Sequence, residues 1–167
     1  MSDSRQTRLE LVRLLQLAYS GEKAAALAYQ GHARSVRDPE VRAMIEKIEK
    51  DEWVHREIVG RLLAELGAAP LRFREIRSGA VGHTLSFFCG LAGWFLPMYF
   101  AAKLETKNVQ EYERAAEYAA ELGLDHFLAP LREMAEVEIL HEKYFFEVIG
   151  RAVPPKRDKE GLGGHLR

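Results

Sequence analysis

Apolar residues recur at helical spacing along most of the chain and divide it into four long amphipathic segments. The first runs from about Ser4 to Val36. In the "RDPE" that follows, Asp38 suits an N-cap and Pro39 the first position of a second helix, which continues to Leu66. Gly67 is placed to stop it. Beyond it, "GAAPLRFREIRSGAVGH" is rich in glycine and turning points and reads as a long connection. The apolar run "TLSFFCGLAGWFLPMYFAA" at 84–102 leads into a third helix that ends near Gly123. Asp125 suits the cap of a fourth, running to Gly150, with Pro130 straining its first turns. Residues 151–167 read as a flexible C-terminal tail.

Two helical hairpins joined by one long crossover define an all-α, ferritin-like four-helix bundle over residues 1–150, with the crossover at about 67–95. The connection after Gly67 is too long for a bundle with short loops throughout.

The faces that these helices turn inward are not uniformly apolar. Glu22 shares its face with Leu15, Ala18, Ala25, Ala26 and Tyr29, and Glu52 with Ile45, Ile48, His55 and Val59. Glu105 lies among Met98, Ala101, Ala102, Val109 and Tyr112, and Glu138 among Leu131, Met134, Ala135, His141 and Phe145. Glu111 has Lys107, Asn108 and Arg114 beside it and reads as solvated. Each helix therefore turns one carboxylate inward, and the second and fourth add a histidine at Glu-x-x-His spacing, in "DEWVH" and "EVEILH". The levels agree as well. Glu22 lies 16 residues before Asp38 and Glu52 lies 14 after it, a difference of about 3 Å at the helical rise. Glu105 and Glu138 flank Gly123 at 18 and 15 residues, a mismatch of about 4–5 Å. The halves also repeat: Glu-x6-Tyr and then Glu-x-x-His occur in 22–29 with 52–55 and in 105–112 with 138–141, offset by 83 and 86 residues.

Four carboxylates in an apolar core repel one another and are driven to protonate. Two divalent iron ions carry the four positive charges that balance them, and leave both imidazoles as neutral ligands. A glutamate from each of two helices, with Glu-x-x-His from each of the others, is the ligand set of di-iron carboxylate bundles. The pattern assigns Glu22, Glu52, His55, Glu105, Glu138 and His141 to two non-haem iron ions.

"LAYSGEKAAALAY" resembles the first-helix motif of rubrerythrins and of demethoxyubiquinone hydroxylases, in which a Gly-Glu pair supplies a ligand. "EYERAAEYAAELGLDHFLAPLREMAEVEILHEKYF" resembles the second hairpin of rubrerythrin-like proteins. The resemblance covers about 8–150 apart from the crossover, and it implies iron ligands at the same six positions. Two features depart from rubrerythrins. Asn108 stands where they usually place an additional carboxylate, and a chain whose only cysteine is Cys89 cannot build their rubredoxin module. Electrons must then come from an external donor.

Around the site, Tyr29 and Tyr112 repeat at the same offset and read either as core packing or as hydrogen-bond partners of the carboxylates. Asp51 reads as solvated, because Val137 takes its place in the second half. His32, His83, His126 and His165 lack repeated partners and read as surface or turn histidines, and Cys89 as inert.

Composition narrows the setting. Hydrophobic residues make up 47% and charged residues 29%, the balance of a globular domain. A net charge of −1 gives no reason to expect nucleic acid. The start, "MSDSRQTRLELVRLL", lacks a signal-peptide core, so a reducing cytoplasm is the expected address. Residues 84–102 carry no formal charge over 19 positions, a length that permits a membrane span. Pro97 and two glycines interrupt it, however, and Glu105 must return to the bundle only two residues after Lys103. The run is expected to sit in the core or a homo-oligomer interface, or to face lipid or an apolar substrate at the inner face of the membrane. Demethoxyubiquinone hydroxylases carry an oily segment between their hairpins, and the resemblance favours the lipid or substrate reading.

The expected function is di-iron oxidation–reduction with oxygen or peroxide and an external electron donor, directed at an apolar, quinone-like substrate that becomes hydroxylated. Two alternatives remain: a rubrerythrin-like peroxidase or ferroxidase, and an iron-binding bundle without turnover.

Overall fold

A computed structural model describes residues 2–152 as five α-helices, with no strand among the described residues. They are α1 (Ser2–Ser35), α2 (Pro39–Glu65), α3 (Arg72–Ala92), α4 (Phe95–Glu121) and α5 (Leu128–Ala152). α1 pairs with α2 and α4 with α5, and α1 meets α4 across the bundle. The expected tail and His165 fall largely outside the described residues; α5 itself continues past Gly150 to Ala152.

The hairpin turns and the end of α2 follow from their residues. Asp38 Oδ1 accepts the backbone N–H of Glu40 at 2.9 Å and of Val41 at 3.2 Å, and Pro39 opens α2. Gly67 and Gly123 take left-handed φ values of 62° and 68°. After each, the next residue's N–H returns to a carbonyl five positions back, Ala68 to Leu63 and Leu124 to Ala119, both at 2.9 Å. Asp125 does not cap the last helix. It opens a short 3-10 turn, Asp125–Phe127, which buries Phe127. Pro130 is the third residue of α5, where its missing N–H would have had no helical partner, so the expected strain does not arise.

The crossover differs most from expectation. It is α3, a helix of 21 residues packed along α1. Its least exposed positions include Glu75, Ser78, Gly79, Gly82, Ser86 and Cys89, a helical face made mostly of small residues. The glycines that resemble turn signals therefore form a contact seam. A Cβ on Gly82 would lie 2.7 Å from Leu27 Cβ, and one on Gly31 would lie 2.1 Å from the carbonyl oxygen of Ser86. Glu75 pins the start of α3, accepting from Arg56 of α2 and, at 2.9 Å, from Ser20 of α1. The apolar run is broken where Gly93 adopts φ 71°, between α3 and α4. No described helix is long and apolar enough to cross a membrane.

The core forms two apolar clusters along the bundle. One includes Leu11, Leu15, Val59, Leu63, Phe127 and Leu131. The other includes Tyr29, Ile45, Ile48, Met98, Ala102 and Phe145. The inward glutamates lie at the levels between them.

Candidate metal centre

Glu22, Glu52, Glu105 and Glu138 are all buried, as are His55 and His141. One potential ligand atom each from Glu22, Glu52, His55 and Glu138 lies within 4.8 Å of the others, and the same holds for Glu52, Glu105, Glu138 and His141. Glu52 and Glu138 belong to both groups, so the six expected side chains form two overlapping sets of four. Each set contains three carboxylates and one imidazole, a hard oxygen- and nitrogen-donor set suited to ferrous or ferric iron.

Hydrogen bonds orient this cluster from both hairpins. His55 Nδ1 lies 3.1 Å from Glu138 Oε1, and His141 Nδ1 lies 3.1 Å from Glu138 Oε2. The tyrosines bond crosswise: Tyr29 of α1 donates its hydroxyl to Glu105 of α4, while Tyr112 of α4 donates to Glu22 of α1. They are thus both buried packing residues and partners of carboxylates. Asn108 Nδ2 donates to Glu105 Oε2 at 3.3 Å. Glu111 stays out of the cluster and pairs with Lys107 at 2.8 Å.

Two sequence expectations need correction. Asp51 is not simply solvated, because its Oδ2 lies 3.2 Å from His141 Nε2 and 2.7 Å from Lys47. His32 is not a surface histidine; it is only 1% exposed, stacked with Tyr29 and Phe145. Beside a partner on its own helix, each has one on α5, His141 for Asp51 and Phe145 for His32, which helical periodicity alone does not place. His83 and His126 are exposed as expected.

Electrostatics favours a cation here. Burial raises the proton affinity of Glu22, and carries Glu52 and Glu105 well above the carboxylate range. Burial pushes Glu138 up to about 7 and lowers His55. Among the described residues no lysine or arginine pairs with the four carboxylates. Glu22 Oε2 and both oxygens of Glu52 are buried without a hydrogen-bond partner. Orphaned acceptors at this depth are costly unless a cation meets them. The residues fit a pair of metal ions.

Residues 10–155 match the model of the family described as ubiquinone biosynthesis protein COQ7. The chain belongs to this family. Its members are di-iron hydroxylases that use oxygen and electron donors and act on a quinone. The chain is accordingly a non-haem di-iron oxidoreductase with two iron ions as cofactor. No curated protein matches the sequence. Among solved structures, a ferritin-like di-iron-carboxylate protein from Bacillus anthracis str. Ames aligns with TM-score 0.66 and 20% identity, over 86% of this chain and 97% of that one. Symerythrin from Cyanophora paradoxa, reduced with dithionite, aligns with TM-score 0.67 and 18% identity, over 87% of this chain and 84% of that one. At such identities the likeness establishes the ferritin-like bundle itself.

Proposed function

We propose that this protein hydroxylates an apolar, quinone-like compound, and that Glu22, Glu52, His55, Glu105, Glu138 and His141 hold its two iron ions. The observation that carries the substrate reading is a cavity of about 420 Å³ between α1, α3 and α4. Its walls are almost wholly apolar, including Leu85, Phe88, Leu96 and Leu104. It is also lined by Tyr29, whose hydroxyl bonds Glu105. An organic ring lodged there would sit against apolar walls, one side chain away from the carboxylate cluster.

Two irons, when bound, supply electrons and activate oxygen. The chain's own groups do the positioning. Glu22, Glu52, His55 and Glu138 would hold one ion, and Glu52, Glu105, Glu138 and His141 the other. Tyr112 and Tyr29 hold Glu22 and Glu105 by their hydroxyls, and Asp51 holds the far nitrogen of His141. Asn108 supplies a neutral donor to Glu105 where another carboxylate would add negative charge.

The iron-loaded, reduced protein should hydroxylate a quinol-like compound when given oxygen and electrons. Glu52→Ala and Glu138→Ala should lose iron and product together, while Glu111→Ala keeps both. Full iron content in both ligand variants would sink the assignment. Rapid peroxide consumption without organic product would instead support the peroxidase reading.

We also infer a peripheral contact with the inner face of the membrane, from the cytoplasm. Leu85, Phe88, Leu96 and Phe100 line the cavity and are themselves exposed, so its rim continues into an apolar surface that includes Phe87 and Leu91. A lipid-soluble substrate could enter there without crossing water. Flotation with liposomes should carry the protein upward, and Phe87→Ser with Leu91→Ser should weaken this. A stable homo-oligomer that ignores liposomes would place the surface in a subunit interface.

A further inference from the structure

The residues that follow two ligands in each half of the repeat are joined across their hairpin, and the two halves achieve this differently. In the second half, Thr106 follows Glu105 and Glu142 follows His141. The Thr106 hydroxyl donates to the Glu142 carboxylate, a direct bond between α4 and α5. The offsets of 83 and 86 residues place Lys23 and Arg56 at these positions in the first half, after Glu22 and His55. Two cations have no acceptor to offer each other. Glu75, in the first turn of α3, stands between them instead. Its carboxylate accepts from both terminal nitrogens of Arg56, pairs with Lys23 Nζ at 3.8 Å and accepts from Ser20 at 2.9 Å. Lys23 also donates to the Glu75 carbonyl oxygen at 3.2 Å. Arg56 is fixed from a second side, its guanidinium 3.6 Å from the centre of the Tyr19 ring. The Arg56 and Glu75 side chains are only 15% and 18% exposed. A forked, charge-assisted pair at that depth holds geometry in a way that a solvated ion pair does not.

We propose that Glu75 is a positioning residue for the metal centre, fixing Glu22 and His55 in register so that their half of the site can hold its ion. The inference rests on the six-ligand assignment proposed above. Ser20 and Lys23 lie within two residues of Glu22, and Arg56 is next to His55. Every side chain bonded to the Glu75 carboxylate therefore flanks a ligand of the same ion, the one assigned to Glu22, Glu52, His55 and Glu138. Removing Glu75 leaves Lys23 and Arg56 to repel each other across the α1–α2 hairpin, at the level where the two ligands must converge. Glu105 and His141 keep their own brace through Thr106 and Glu142. The crossover helix thus completes one half of the metal centre without supplying a ligand to it.

The test uses the full chain loaded with cobalt(II), which accepts the same oxygen and nitrogen donors and reports its surroundings through visible absorbance. A chelator is titrated in, and the affinity of each bound ion is read from the cobalt bands that remain. Glu75→Ala should weaken one of the two ions about tenfold, the lower end of what lost support behind a ligand costs, and leave the other unchanged. Thr106→Val, which removes the brace of the second half, should weaken the other ion instead. Glu105→Ala and Glu22→Ala, each retaining one intact set of four, identify which ion is which. A general loss of stability would loosen both ions together, since unfolding destroys both sites. Glu75→Gln keeps the shape and the acceptor for Ser20 but not the charge; it should show the same selectivity more mildly, and it decides the question where Glu75→Ala does not fold. Equal weakening of both ions, no weakening of either, or the same ion weakened by the Glu75 and Thr106 substitutions would overturn the role of Glu75 while leaving the ligand set intact. Two ions held at native affinity by both Glu22→Ala and Glu105→Ala would overturn the ligand assignment, and this inference with it.

Discussion

Val137 occupies, in the second half of the internal repeat, the place that Asp51 holds in the first. The two histidines are consequently unlike: His141 has a carboxylate 3.2 Å from its far nitrogen, supplied across the bundle from α2, and the matching residue for His55 is a valine. A carboxylate behind a ligating imidazole fixes its tautomer and raises its basicity. Asp51→Asn should therefore weaken iron retention by about 10- to 100-fold, read by competition with a chelator. Lys47→Ala, which removes only the outer partner of Asp51, should change it little. Unaltered retention in Asp51→Asn would show that packing alone orients His141. The six inward ligand candidates were legible because a helical period assigns each residue to a face of its own helix. It says nothing about what the facing helix presents. For that reason the partnership of Asp51, the crosswise bonds of Tyr29 and Tyr112, and the burial of His32 needed the assembled bundle.

At the scale of elements, the four bundle helices followed from periodicity, the hairpin turns from Asp38 and Gly123, and the end of α2 from Gly67. The crossover did not. Glycine marks a turn when its backbone needs a left-handed φ, but inside a helix it marks a place where another backbone comes close. The sequence is the same in both cases, and only the partner element decides. On α3 and α1 the second meaning holds, at Gly82 and Gly31. Gly31→Ala would push a methyl group into the Ser86 backbone and should cost about 1–3 kcal/mol or more, with α3 becoming more sensitive to proteolysis. Gly90, also within α3, has open space around its Cβ position. Gly90→Ala should be neutral or stabilise by about 0.5–1 kcal/mol, because alanine favours the helix. Thermal denaturation of the two variants separates these meanings; equal melting temperatures would refute the close-packed seam.

For the whole molecule, the dominant feature is four buried carboxylates in a bundle held together by apolar packing, and this makes stability depend on metal and pH together. A carboxylate whose folded-state pKa is raised binds protons more tightly folded than unfolded. Its contribution is complete below the unfolded pKa and is lost as pH rises through the folded one. For Glu138 the window runs from its ordinary 4.5 to about 7, worth on the order of 3 kcal/mol. Glu52 and Glu105 are raised by burial in the same direction and add to this loss. His32 and His55 act oppositely: both are lowered by burial, so their contributions are lost as pH falls below the ordinary histidine value of 6.5. Above that value the histidines are neutral in both states, and only the acids still titrate between folded and unfolded chains. The melting temperature of the metal-free protein should therefore fall between pH 6.5 and 8. Iron reverses the sign, because ligands that bind a cation must be deprotonated and no longer compete with protons at higher pH. The gap between iron-loaded and metal-free melting temperatures should widen steadily over this interval. Glu52→Gln, which removes one of the displaced acids, should flatten the metal-free slope and abolish part of the iron-induced gain. A metal-free melting temperature that stays level from pH 6.5 to 8 would mean that the four carboxylates do not share one buried, cation-demanding site.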